Sequence, residues 1–226
     1  MKKVLLLIAF LVVSCKNDEI NHPNILFIMS DDHTSQSWGI YGGILKDYVK
    51  NDGIKRLAKS GVVLENLFCT NAICVPSRAS ILTGQYSHVN GVYNLPDALD
   101  PDSLNVAKVL KNNGYQTSII GKWHLKKEPS GFDYYKVLPG QGLYNDPYFK
   151  TKENWEDGSR GGEKEKGFSA DIIGDSSIEW LKKIDNKKPF FLMTHFKATH
   201  EPFDYPERNK DLNKDVIFPE PSSLYE

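Results

Sequence analysis

Four apolar runs punctuate the chain, and each is followed by polar or charged residues. Residues 24–29 (Asn24 through Met29) run into Ser30-Asp31-Asp32. Residues 62–68, 115–120 and 189–196 repeat the pattern. The first of these predicts a strand buried on both faces, as in a parallel sheet, and the other three, though interrupted by polar residues, read as strands too. Between them lie segments with apolar residues at helical spacing. Residues 48–60 carry Val49, Ile54, Leu57 and Ala58 before Gly61, although Asp52-Gly53 delays a helix start to near Ile54. Residues 103–113 carry Leu104, Ala107, Val109 and Leu110 before Gly114. Residues 168–184 carry Ile172, Ile173, Ile178, Trp180 and Leu181. Strands alternating with helices predict an α/β sandwich with a mainly parallel sheet. Residues 85–101 and 126–165 read as irregular loops; no internal repeat or low-complexity stretch interrupts the alternation.

In open α/β sheets, ligands gather at the carboxyl ends of the strands. The residues placed there carry chemistry. Asp31 and Asp32 end the first run, and adjacent carboxylates need a cation between them or a proton on one of them. Their oxygens suit calcium or magnesium. His33 follows as a solvated or rim residue. The third run delivers Gly121-Lys122-Trp123-His124-Leu125, a compact charge beside a proton-transfer group. The fourth leads to Lys197-Ala198-Thr199-His200-Glu201-Pro202, with His195 inside the strand as a packed residue and Lys197 open to either role. The second precedes Cys74-Val75-Pro76-Ser77-Arg78 and then Thr83-Gly84. Pro76 favours a first helical turn, so Cys74 belongs at a helix N-terminus, where anions are favoured. Arg78 falls on the same face, four residues on. Gly84 is the expected helix stop.

C-x-P-S-R followed by T-G resembles the maturation motif of type I sulfatases, and Gly-Lys-Trp-His-Leu resembles the second motif of that family. The resemblance implies an alkaline-phosphatase-like fold. It implies oxidation of Cys74 to formylglycine by a formylglycine-generating or equivalent maturation enzyme. It further implies that position 74 joins Asp31 and Asp32 around calcium, or less readily magnesium. Arg78, Lys122, His124 and His200 are the implied catalytic and sulfate-contacting residues. The implied reaction is hydrolysis of sulfate esters on a sulfated polysaccharide or oligosaccharide. Residues 138–142 (Leu-Pro-Gly-Gln-Gly) with Tyr144 resemble N-acetylglucosamine-6-sulfatase-like members. Two other readings stand beside this one: a phosphoester or phosphonate hydrolase of the same superfamily, and a non-catalytic lipoprotein that binds sulfated glycan. Beyond His200 only 26 residues remain, and they hold no match to the family's second metal-binding pair. The sequence therefore covers the N-terminal part of such a protein, as a fragment or a truncated reading frame.

Composition narrows the partners. With 226 residues and 40% hydrophobic content the chain can bury one sizeable core. Its 28 basic and 29 acidic residues give a net charge of −1, so nothing in the charge balance points to nucleic acid. An anionic substrate has to be met by a few placed cations. Lys2, Lys3 and the apolar run to Val13 form a signal peptide over residues 1–14. The run ends at Val12-Val13-Ser14-Cys15, which resembles a bacterial lipoprotein cleavage box. That implies export, lipidation of Cys15 and a membrane anchor, followed by a tether over residues 15–23 and a catalytic domain from residue 24 onward. Cys69 is then expected to remain a free, buried thiol.

Overall fold

The computed structural model describes residues 22–225. The expected signal peptide, Cys15 and most of the expected tether lie outside the described residues. The fold is built on four strands: β1 (Ile25–Asp31), β2 (Gln116–Lys122), β3 (Tyr134–Leu138) and, last in the chain, β6 (Phe190–Thr199). They form one sheet in the order β1-β6-β2-β3 with every pair parallel. A two-stranded antiparallel ribbon pairs β4 (Tyr148–Phe149) with β5 (Glu163–Lys164). The helices are α1 (Asp52–Ser60), α2 (Cys74–Thr83), α3 (Ser87–Asn90), α4 (Val106–Asn112) and α5 (Ser169–Lys183).

Side chains alternate across a strand, so a sheet covered on both faces needs apolar residues at consecutive positions. In β2, Ile119 packs with Val75, Ala79 and Leu82 of α2 on one face. Ile120 packs with Ile173 of α5 on the other. In β6, Phe191 and Met193 join the first cluster and Leu192 joins the second. The result is a three-layer sandwich with β6 and β2 at its centre. β1 differs from the expectation. Phe27 packs on the core face, but Leu26 and Ile28, on the opposite face, are half exposed; among the described residues β1 pairs only with β6.

The helix ends follow from local chemistry. Asn105 caps α4, its side-chain oxygen accepting from the Lys108 amide at 3.0 Å. Gly84 closes α2 in the left-handed region at φ +67°, its amide donating to the Ser80 carbonyl at 2.9 Å. Two expectations need correction. Residues 62–68 form no strand, and Val62, Leu67 and Phe68 are exposed. Apolar character supplies no hydrogen-bonding edge, and this run pairs with no described strand. Residues 126–165 are not all irregular, since they contain β3 and the β4–β5 ribbon. The Lys136 ammonium in mid-β3 pairs with Glu165 at 2.7 Å, which lets a charged residue sit within a strand.

Because all four sheet strands are parallel, their carboxyl ends share one edge. Asp31 lies opposite Thr199, Lys122 opposite Leu138, and Gly121 opposite His195. That edge carries the chemistry.

Candidate active site

Asp31 is the last residue of β1 and is buried. Its Oδ2 accepts from Arg78 Nη2 at 3.2 Å and pairs with the Lys122 ammonium. Its Oδ1 faces the Cys74 thiol, whose Sγ donates across 3.7 Å. Cys74 is the first residue of α2, so the amides at that helix start lack intrahelical partners and favour negative charge. Arg78, one turn on, is buried; its Nη1 donates to the Lys122 carbonyl at 2.8 Å and lies 3.2 Å from His195 Nδ1. A guanidinium has donors only, so Nδ1 is the acceptor there. Lys122 ends β2 with no solvent exposure, and its Nζ also donates to Gln141 Oε1 at 2.6 Å.

The electrostatics follow from this crowding. Burial alone would raise the Asp31 carboxyl, yet the Arg78 and Lys122 charges hold it below its usual range. Burial lowers Lys122 in spite of its bond to Asp31, with Arg78 adding to the effect. Burial pushes the Cys74 thiol up, so the side chain is a protonated donor to Asp31. Lys197 is also buried, and burial followed by the Lys122 charge lowers it. Three cations (Arg78, Lys122, Lys197) thus meet the carboxylates of Asp31 and Asp32. A buried excess of positive charge is relieved by an anionic ligand.

His200 follows β6 and turns back toward Asp32, with Nε2 3.6 Å from Asp32 Oδ2. One ligand atom each from Asp31, Cys74 and His200 lie within 4.8 Å of one another. His124 is brought close to the same charges, and among the described residues no hydrogen bond joins it to Cys74. It is buried at φ +60°, its Nδ1 has no partner among the described residues, and burial with the Lys122 and Arg78 charges lowers it to about 4. His33 sits on the rim, where the Trp38 indole donates to its ring. A cleft of about 540 Å³ opens over Asp31, Asp32, His33, Cys69, Cys74 and Arg78. Cys69 corrects the expectation of a buried thiol: it is free but exposed, on the wall of this cleft.

The donors at this point suit a divalent cation unequally. Asp31 Oδ1 and the Asp32 carboxylate are hard oxygen donors of the kind calcium takes. A thiol and an imidazole are softer ligands. The set fits a calcium ion in part, and would fit better if position 74 carried oxygen in place of sulfur. Four contacts escaped the sequence reading: Gln141 on Lys122, Tyr144 on the His200 carbonyl, His195 on Arg78, and Lys197 on the Glu201 carbonyl. Only the position of Lys197 near a strand end hinted at its part.

Known proteins resemble this chain in sequence and in fold. A family model described as Sulfatase matches residues 23–216. An N-acetylglucosamine-6-O-sulfatase of Bacteroides thetaiotaomicron is 41% identical over 226 residues, covering 97% of this chain and 39% of that protein. An ulvan-active sulfatase of Formosa agariphila is 30% identical over 230 residues, covering 93% of this chain and 44% of the relative. A solved structure of a protein in complex with its substrate, D-glucosamine-2-N,6-O-disulfate, superposes with a TM-score of 0.83 at 40% identity over 90% of this chain and 40% of the other. The chain thus spans about two fifths of the length of the curated relatives it matches. The chain belongs to the sulfatase family.

Proposed function

We propose that this chain carries the nucleophile and the sulfate-binding cations of an enzyme that hydrolyses 6-O-sulfate esters of glucosamine units in a sulfated polysaccharide or oligosaccharide. The observation behind it is the juxtaposition at Asp31: one carboxylate held between Arg78 and Lys122, with Cys74 against its free oxygen at a helix N-terminus. The substrate class follows from the N-acetylglucosamine-6-O-sulfatase relative and from the neighbour bound to a disulfated glucosamine.

Asp31 and Asp32 would hold a divalent cation, which would supply acidification of a hydroxyl on position 74 once matured to hydrated formylglycine; that hydroxyl would attack sulfur as the sugar oxygen leaves, and the second hydroxyl would collapse to the aldehyde as sulfate departs. The chain's other residues carry the remaining work. Arg78 and Lys122 balance the negative charge that builds on the sulfate oxygens. Asp31 fixes both cations, and its other oxygen would serve as a ligand to the metal. His200 stands near the reacting group as a proton donor to the departing sugar oxygen. His124, kept neutral by burial and nearby cations, offers a hydrogen bond without adding charge. On the same reading Cys15 anchors an exported protein to a bacterial membrane, where its polymeric substrate is met. The assay is sulfate release from N-acetylglucosamine 6-sulfate by protein co-expressed with a maturation enzyme. Release that disappears with Cys74→Ala is expected. Release of phosphate from the 6-phosphate analogue with no release of sulfate would overturn the assignment.

A further inference from the structure

The loop after β3 holds both flanks of the site. It leaves β3 at Leu138 and turns at Gly140 (φ +54°) and Gly142 (φ +71°), closed by the Gly142 amide donating to the Pro139 carbonyl at 3.0 Å. A Cβ at Gly142 would meet Leu138 Cδ1 at 2.7 Å, so the turn needs glycine in both respects. The turn aims Gln141 at Lys122, and Oε1 accepts from Nζ at 2.6 Å. Three residues on, Tyr144 is buried against Phe168, with ring centroids 5.6 Å apart and planes 19° apart. Its hydroxyl donates to the His200 carbonyl at 2.5 Å. The Lys197 ammonium lies 4.8 Å from the centroid of the Tyr144 ring and donates to the Glu201 carbonyl at 3.1 Å.

From these contacts we infer that Gln141 and Tyr144 are positioning residues, through which residues 138–144 set Lys122 and His200 for the sulfate group; the inference rests on the sulfatase reading above. Lys122 shows why. A buried ammonium has three N–H donors and no water to fill them. Asp31 takes one and Gln141 another, which leaves one for an incoming anion. Gln141 is neutral, so it orients the ammonium without cancelling its charge, as a carboxylate would. Tyr144 acts on the other flank by fixing the backbone of His200, while Lys197 fixes the next carbonyl. The loop that would face the sugar is therefore bonded to the groups that would face the sulfate.

The test uses two variants that remove a polar function and keep the shape, Gln141→Met and Tyr144→Phe. Each is made in a Cys74→Ala background to stop turnover. Isothermal titration compares D-glucosamine 6-sulfate with unsulfated D-glucosamine. Loss of one hydrogen bond that orients a charged group should weaken the sulfated sugar about threefold to tenfold in each variant, with the unsulfated sugar unchanged. Equal weakening of both sugars would assign the loop a merely structural part and overturn the inference. Unchanged affinity for the sulfated sugar in both variants would overturn it as well, while leaving the sulfatase reading intact. If the parent itself fails to prefer the sulfated sugar, both the reading and the inference fall. In active protein the same variants should lower kcat more than they raise KM, because orientation matters most where charge develops.

Discussion

Gly121 offers a sharp test of how the sheet holds the site. It lies in β2 opposite His195 of β6, one residue before Lys122. Its φ is +107°, and a Cβ added there would come 1.9 Å from the His195 carbonyl oxygen. That oxygen is backbone in the central strand, so no rotamer change can clear it. Gly121→Ala has two costs. The left-handed backbone adds about 1–3 kcal/mol of strain for a residue with a Cβ. Pushing two paired strands apart is an overpacking cost of a further ~1–3 kcal/mol. The sum, about 2–6 kcal/mol, is a large part of a typical domain's stability. At about 2–4 °C per kcal/mol for a chain of this size, the thermal midpoint should fall by roughly 4–24 °C. Gly84→Ala is the control, with φ +67° but no atom within 4 Å of the added Cβ. It should cost only the backbone strain, about 1–2 kcal/mol. Thermal unfolding followed by far-UV circular dichroism measures both. Equal losses in the two variants would refute the close approach of β2 to β6 on which the placement of Lys122 depends.

Other expectations concern charge. Arg78→Ala and Lys122→Ala should each reduce turnover about a hundredfold or more, the usual cost of losing a preorganised charge, as read from initial rates on a sulfated glucosamine; near-normal rates for both would put the sulfate cations elsewhere. His195 is buried, and burial with the Arg78 charge lowers it to about 3. An unfolded histidine titrates near 6.5, so below that pH the unfolded chain takes a proton that the folded one refuses. The stability His195 contributes is therefore intact above pH ~6.5 and is lost as pH falls from there toward ~3. Relative to His195→Gln, the parent should lose about 2 kcal/mol between pH ~7 and pH ~5, seen as a drop in urea midpoint; parallel pH curves for the two proteins would show that His195 is charged or solvated in the fold.

The parts of the fold that could be read from sequence are those in which one local signal settles the matter. β2 and β6 carry apolar residues at consecutive positions, Ile119-Ile120 and Phe190 to Met193, because both of their faces are covered, by α2 and α5. Gly84 marks the end of α2 because its left-handed turn needs glycine. β3 was hidden because Lys136 breaks its apolar pattern, and the compensating Glu165 lies far along the chain. Residues 62–68 misled in the opposite sense, with the composition of a strand but no ladder to join. The site divides in the same way. Asp31, Cys74, Arg78, Lys122 and His200 lie in recognisable motifs at or near strand and helix ends. Gln141 and Tyr144 reach their partners across 19 and 56 residues. Those contacts depend on a glycine turn and on strand order, and neither is written into local spacing. Cys69 was expected inside because free cysteines tend to be buried. It is exposed because it sits on an unpaired segment at the cleft wall.

The account depends most on what Cys74 becomes. As a thiol it is buried enough to stay protonated and donates to Asp31, which makes it a poor nucleophile. The direct measurement is the mass of the peptide containing Cys74 from active protein purified from cells that mature sulfatases, before and after treatment with a hydrazide. The expected result is a peptide lighter than its cysteine form that gains the hydrazide label, in proportion to sulfate-ester hydrolysis across preparations. Full activity in protein whose position 74 is entirely unmodified cysteine would contradict it.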